Sequence, residues 1–449
     1  MNKIFNLLGI IAIVVLAFVG GAVVVLAEVF PYDYLDDARR ALIALYKQKT
    51  DYKSPYQTNL WRPARTDERG VTIYKPARTY DGFTLYSSSH AQKAFLITME
   101  GKIAHEWNLP IAAVWENPDR QPRPDPYVFW EYPHLYPNGD LLVLYVGMGD
   151  TPWGYGLVKM DKNSKVIWKY FDNVHHHLDV AKDSKIYVLT NDIRNSEIER
   201  KRYRHLAPPR IDDSVVVLSP DGKLLKKVSI MDALLRSPYA RMLQWGLAWN
   251  IEADFLHTNS IEVIDRATAS KLPFAKAGQV LLSMREIDAV GILDLETEEI
   301  VWAAQGSWHR PHDADMLPNG NILLFDNWGN YEPGGSSRVV EFNPRTSKII
   351  WNYAGDGARL LASPIRSGQE RLPNGNTLIT ESDGGRIIEV TANGEIVWEY
   401  VNSVRGGKER KLIPVLSQGI VRIAPEKLAL DFLEAINGSE TAARENAGN

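Results

Sequence analysis

The chain contains no cysteine. That excludes disulfides, a thiolate nucleophile, iron–sulfur clusters and cysteine-based zinc sites, leaving histidine, carboxylates, arginine, lysine and hydroxyls as the available chemistry. A strong excess of either charge is missing too: over 449 residues the formal net charge is -4. Nothing in that balance would grip a polyanion, so nucleic acid is not an expected partner. The rest of the composition is that of a globular protein, with 45% hydrophobic and 24% charged residues. Tryptophan (13) and tyrosine (20) are plentiful, as expected where broad sheet faces pack on one another.

Charge is also absent locally. Residues 7–27 are only Ile, Val, Leu, Ala, Phe and Gly, preceded by Lys3. As a helix this run is long enough to cross a hydrocarbon core of about 30 Å. A cleaved signal peptide is the competing reading, since Val25-Leu26-Ala27 ahead of Glu28 resembles a cleavage site. The run exceeds a signal core of about 7–15 residues, which favours an uncleaved anchor. Arg39, Arg40, Lys47 and Lys49 follow the helix and weaken the charge asymmetry that sets orientation. Either reading exports the C-terminal body, which in a bacterium means the periplasm. The expected organisation is an anchor over 1–30, then a linker over 31–79 with a short helix marked by Tyr32, Tyr34, Leu35, Leu42 and Tyr46. A body over 80–430 and a polar tail over 431–449 complete it.

The body is repetitive. LPNGNILLF (317–325) followed by RVVEFNPRTSKIIWNY (338–353) recurs as LPNGNTLIT (372–380) followed by RIIEVTANGEIVWEY (386–400). Each half reads as a hairpin, a tight Asn-Gly turn between apolar or alternating strands. Weaker copies begin at 136, 181 and 277, and a half copy occupies 94–107. Trp107, Trp168, Trp302, Trp351 and Trp398 share one repeat position, with Val228 in the remaining copy. Six four-stranded units of this length predict an all-β, six-bladed β-propeller, because one small sheet cannot bury both faces until neighbours stack around an axis. The strand-like run at 419–428 is expected to complete the first blade. The tryptophans are read as packing between blades, and the Pro-Asn-Gly turns as turns rather than phosphate loops, since no helix follows them.

Histidines fall just ahead of several blades: His134, His175-His176-His177, His257 and His312. The first strand of each blade lines the channel, so residues at equivalent blade starts converge on one mouth of the axis. A single such histidine is more simply read as a strand cap, but four in register point to a site. Arg285 and Arg338 lie on the strands that follow His257 and His312, and a guanidinium beside imidazoles suits a tetrahedral oxyanion. For each arginine alone, a surface ion pair is an equally good reading.

These residues carry a resemblance. His257-Thr258-Asn259-Ser260, Ser283-Met284-Arg285, Gly306, His312-Asp313-Ala314, Pro318-Asn319-Gly320-Asn321, Phe325-Asp326-Asn327 and Arg338 resemble the aryl sulfotransferase (ASST) family of periplasmic six-bladed propellers, over roughly residues 80–425. The resemblance implies transfer of a sulfuryl group between phenols through a transiently sulfated histidine. It matches His257, His312 and Arg338 to catalytic positions. His134, His176, Asn259, Arg285, Asp313 and Asn327 are the expected substrate-binding residues, and no cofactor or metal is assigned. One departure stands out: the family's nucleophilic histidine is expected in a later blade, yet no histidine follows His312, and Ser367-Gly368-Gln369 occupies that blade start. Either His312 or His257 is then the nucleophile, or the chain transfers no sulfate. In the latter case it is a tethered binding or assembly module within a membrane complex. A metal site of His175, His176, His177, His309 and His312 is a third reading, and a quinone-cofactor dehydrogenase is disfavoured by the blade count and the missing cysteine pair.

Overall fold

Tight turns decide the strand lengths. Gly139, Gly320 and Gly375 hold left-handed φ of 86°, 85° and 86° in the Pro-Asn-Gly turns, a conformation that carries no steric penalty only for glycine. The apolar runs on either side pair across these turns into six antiparallel sheets. The computed structural model describes residues 2–27, 29–32, 34–35, 38, 54–116, 120–149, 154–198, 203, 205–249 and 253–436. Leu42 and Tyr46 of the expected linker helix, and everything after 436, lie outside the described residues.

Two units are distinguished, residues 1–57 and 58–449. In the first, Asn2–Ala27 is one helix, and its stretch Phe5–Ala27 is apolar and long enough to cross a membrane. The second is a six-bladed propeller. Blades two to five are consecutive: Val128–Leu135 to Val166–Tyr170, Val174–Val180 to Leu224–Ser229, Thr258–Val263 to Glu299–Gln305, and His312–Met316 to Ile349–Tyr353. Blade six runs from Gly368–Arg371 to Ile396–Val401.

Closure uses both ends of the body. Val421–Ile423 pairs with Phe83–Ser87 as the innermost strand of the first blade, as the repeat analysis expects. Gly70–Tyr74 adds a fifth, outermost strand to blade six, and Trp61–Pro63 pairs with Leu412–Pro414. These two strands lie in the stretch expected as linker, where their short length and lack of a repeat partner hide them. Residues 430–436 are helical, with Phe432 and Ile436 buried in the core between the first two blades, so the body extends past the expected boundary at 430.

The repeat tryptophans pack between blades. Indole N–H groups of Trp107, Trp168, Trp351 and Trp398 donate to the carbonyls of Gly139, Pro220, Ala392 and Met99 in the neighbouring blade. In blade three, where Val228 replaces tryptophan, the helix Ile230–Arg236 buries Ile230, Met231, Ala233 and Leu234 instead.

Inner strands are also stapled to one another. Each is a sheet edge, and in four of them a carboxylate of the preceding blade accepts from a backbone N–H. Asp179 takes Val263 N (2.7 Å), Glu262 takes Met316 N (2.5 Å), Asp313 takes Gln369 N (2.8 Å) and Glu370 takes Arg422 N (2.9 Å).

Arg422 ties the closing strand. Its fully buried guanidinium donates to Thr84 Oγ1 and Tyr80 O, meets Glu389 at 3.3 Å and lies 4.7 Å over Trp398. Removing one partner of a buried pair strands the other charge. Arg422→Ala is therefore expected to destabilise the propeller by about 3–5 kcal/mol in denaturant unfolding; a loss under about 1 kcal/mol would show that closure does not depend on it.

Candidate functional site

The inner strands do not enter the channel straight. Five of the six kink near one mouth, in or just ahead of the strand, through a residue with left-handed backbone: Tyr132, His176, His257, Asp313 and Ser367. Outside glycine this conformation costs on the order of 1–3 kcal/mol. It is accompanied by register shifts at Glu131/His134, His175/Leu178, Thr258/Ser260 and His312/Asp315. Such bulges re-aim side chains. Here they turn Glu131, His176, His257 and His312 onto one cavity of about 260 Å³, together with Arg285, Arg366 and Asn59. Phe129, Val146, Met148 and Ile365 supply an apolar wall.

His312 is the most tightly oriented ring. Its Nδ1 faces two acceptors, Asn327 Oδ1 at 2.6 Å and Arg310 O at 3.1 Å, so Nδ1 carries the proton. The amide of Asn327 cannot be reversed, because its Nδ2 already donates to the carbonyls of Ser363 and Arg366. Nε2 of His312 is thus left with its lone pair. Burial, and then the Arg285 charge, push the pKa of this ring well below the usual imidazole range. His176 is lowered in the same way, by burial and then by the His257 ring. Its Nδ1 lies 2.7 Å from Nδ1 of His175, whose Nε2 is 3.4 Å from Asp213.

His257 is built differently. Its Nδ1 is hydrogen-bonded to Asp254. Burial alone would raise the Asp254 carboxyl, but the adjacent imidazole outweighs it and holds the group below its ordinary value. Glu131 moves the other way: burial raises it against the pull of Arg366. Arg366 sits 6.0 Å over the Phe129 ring with Asn59 at 3.3–3.4 Å, and Arg285 is paired with Glu286.

Of the nine expected site residues, the fold brings His176, His257, Arg285 and His312 to the cavity. Asn327 orients His312, and Asn259 acts one step further back, holding Pro311 O at 2.8 Å. Asp313 bonds His177 at 3.1 Å and staples Gln369. His134 lies beyond the bulge, against Tyr136 at 5.0 Å, where burial lowers it to about 4. Arg338 pairs with Asp326 at 2.8 Å and donates to Ser307 O, away from the cavity. Among the described residues no three metal-ligating side chains converge. His309, of the expected metal set, lies outside the mouth.

Glu131, Arg366, Asn59 and Asp254 were missed. Glu131 was within reach of the repeat: at equal distance ahead of Pro137, Pro318 and Pro373 stand Glu131, His312 and Ser367. Ser367 itself is buried, its Oγ accepting from Ser382 N at 3.0 Å. Blade six therefore presents the guanidinium of Arg366 where an imidazole was expected.

Fold and site together define a class: a six-bladed propeller whose channel mouth gathers imidazoles and guanidiniums around an apolar wall. The family model for arylsulfotransferase (ASST) matches residues 133–403, more than half of the chain, and the protein belongs to that family. No curated protein sequence matches it. Among solved structures, a protein of unknown function from Bacteroides caccae superposes with a TM-score of 0.47 at 13% identity, covering 75% of this chain and 99% of that one. Virginiamycin B lyase from Staphylococcus aureus gives 0.39 at 10%, covering 81% and 96%. The WD40 β-propeller domain of Doa1 gives 0.38 at 9%, covering 82% and 99%.

Depressed imidazole pKa values have two measurable consequences. NMR signals of the His176 and His312 rings are expected to remain those of neutral imidazole as pH falls from about 7.5 through about 6.5. Because the fold disfavours their protonated forms, their contribution to stability is full above the ordinary imidazole pKa and declines as pH falls towards the folded value. A midpoint near 6.5 for either ring would contradict the burial argument.

Proposed function

We propose that the mouth transfers a sulfuryl group between phenolic compounds by way of His312. The aryl ring of a donor sulfate packs on Phe129, Val146, Met148 and Ile365, and Arg285 and Arg366 hold the sulfuryl oxygens, where charge develops. His312 Nε2 attacks sulfur, the S–O bond to the aryl group breaks, and the leaving phenolate takes a proton from His257. Asp254 steadies the His257 ring while it carries that proton. The sulfated ring retains Nδ1–H on Asn327. In the second half, an acceptor phenol gives its proton to His257 and its oxygen attacks sulfur, forming S–O as S–N breaks. A covalent intermediate divides one difficult transfer into two. The observation that carries this reading is the orientation of His312, fixed at Nδ1 in a cavity that Arg285 and Arg366 also line.

The helix over Phe5–Ala27 is proposed to anchor this body in a membrane, with the propeller on the non-cytoplasmic side, the periplasm in a bacterium. A competing reading, a tethered non-catalytic module within a membrane complex, draws on the occupied hydroxyl of Ser367 in the last blade.

One experiment separates them. Mixing the protein with 4-nitrophenyl sulfate in rapid flow is expected to release a stoichiometric burst of 4-nitrophenol, with the mass of one sulfuryl group added to the peptide carrying His312. His312→Asn should lower the burst rate by roughly a thousandfold or more. Arg285→Ala or Arg366→Ala should lower it roughly 10²- to 10³-fold. A burst that survives His312→Asn overturns the assignment of the nucleophile, and no burst in the wild-type protein leaves the binding-module reading.

A further inference from the structure

One buried oxygen at the channel mouth has no use in the fold. It belongs to Glu131, which is 4% exposed and lines the cavity with Arg285, Arg366 and His312. The backbone on either side of Glu131 is held in place: Trp130 O accepts from Ser417 Oγ at 2.7 Å and from Ser87 Oγ at 3.2 Å, and Tyr132 N donates to Gln418 O at 3.2 Å. The carboxyl takes the backbone N–H of His176, but its Oε2 has no hydrogen-bond partner among the described residues. Buried polar atoms of folded proteins are nearly always bonded, so an oxygen left over beside a cavity points to a ligand.

The surrounding charges decide which form of the carboxyl meets that ligand. Facing it are Arg366 from the loop ahead of blade six, His175 and His176 from blade three and His257 from blade four, and Arg285 and His312 share the cavity. Burial raises the carboxyl, outweighing the Arg366 charge, the His175 and His257 rings and the His176 N–H, which all favour the ionised form. An oxyanion held by Arg285 and Arg366 adds to the effect of burial, since its charge opposes a second negative group beside it. Donor count leads to the same result. Sulfuryl oxygens and a carboxylate only accept, whereas a neutral carboxylic acid has one O–H to give.

We propose that Glu131 holds an oxyanion at the mouth as a neutral acid, its Oε2–H donating to one of the anion's oxygens, so that binding brings one proton from solvent to the Glu131 carboxylate. The anion is of the tetrahedral sulfate class, all of whose oxygens accept. That it is a sulfate ester in turnover rests on the function proposed above; proton uptake with free sulfate does not. Linkage fixes the sign. Between the pH at which Glu131 ionises in the free protein and that at which it ionises in the complex, sulfate affinity falls about tenfold for each unit of rising pH.

Full-length protein in detergent is titrated with sodium sulfate by calorimetry at about pH 8, in buffers of different ionisation enthalpy, which gives the protons taken up. The wild-type protein is expected to take up about one proton more per sulfate than Glu131→Gln, whose amide donates to sulfate without titrating. Uptake by His257 is common to both proteins and cancels in the comparison. In the wild-type protein alone, sulfate should also bring up a protonated-carboxyl C=O band in the infrared difference spectrum. Equal proton uptake in the two proteins, or no such band, overturns the proposal while leaving the sulfotransfer reading intact. Absence of any sulfate binding overturns it together with the oxyanion role of Arg285 and Arg366. Proton-linked binding in a protein that gives no 4-nitrophenol burst supports it and removes only its part in transfer.

Discussion

The inner edge of each blade is the constraint on which the rest depends. A strand lining the channel leaves one row of backbone N–H groups without a sheet partner, and buried donors of that kind are costly. Here the preceding blade supplies the acceptor as a carboxylate: Asp179, Glu262, Asp313 and Glu370 each take an N–H of the next inner strand. These contacts fix the rotation of one blade against another. Side chains from four different blades can meet in one cavity only if that rotation is fixed, so the staples behind the mouth decide what the mouth contains.

Such staples carry an electrostatic cost that shapes the pH response. Burial raises Glu262 and Asp315 well above the carboxylate range, and Glu370 to about 7. For these groups the folded state binds the extra proton; their contribution is full at low pH and is lost as pH rises through the folded value. His176 and His312 act in the opposite sense, losing theirs as pH falls. The buried carboxylates and imidazoles therefore pull the pH dependence of stability in opposite directions.

Much of the fold was legible because propeller blades repeat. Five tryptophans at one repeat position, the Pro-Asn-Gly turns and the run at 419–428 led to six blades and to the closing strand. What the repeat could not show was the bulge. Periodicity places His134 at a blade start, yet the kink at Tyr132 makes Glu131 the residue that faces the cavity. Arg338 was expected inward for its place after His312, but Asp326 beside it captures the guanidinium. Arg366 and Asp254 lie in irregular loops, where neither period 2 nor the repeat applies.

The absent late histidine bears on the nucleophile through geometry. A nucleophilic imidazole must be neutral, fixed at one nitrogen and open at the other. His257 has its Nδ1 on a carboxylate, an arrangement that steadies the protonated ring and suits proton transfer. His312 has its Nδ1 on neutral acceptors, Asn327 Oδ1 and Arg310 O, and a pKa depressed by burial, which suits attack. Asn327 also bonds the carbonyl of Arg366, so the support that orients the His312 ring also positions the residue bringing positive charge from blade six. A guanidinium there could not serve as nucleophile, but in the proposed transfer it neutralises the sulfuryl oxygens. On the proposed mechanism, the guanidinium in blade six, where the family resemblance implies an imidazole, goes with a nucleophile one blade earlier and keeps a cation at the proposed oxyanion site.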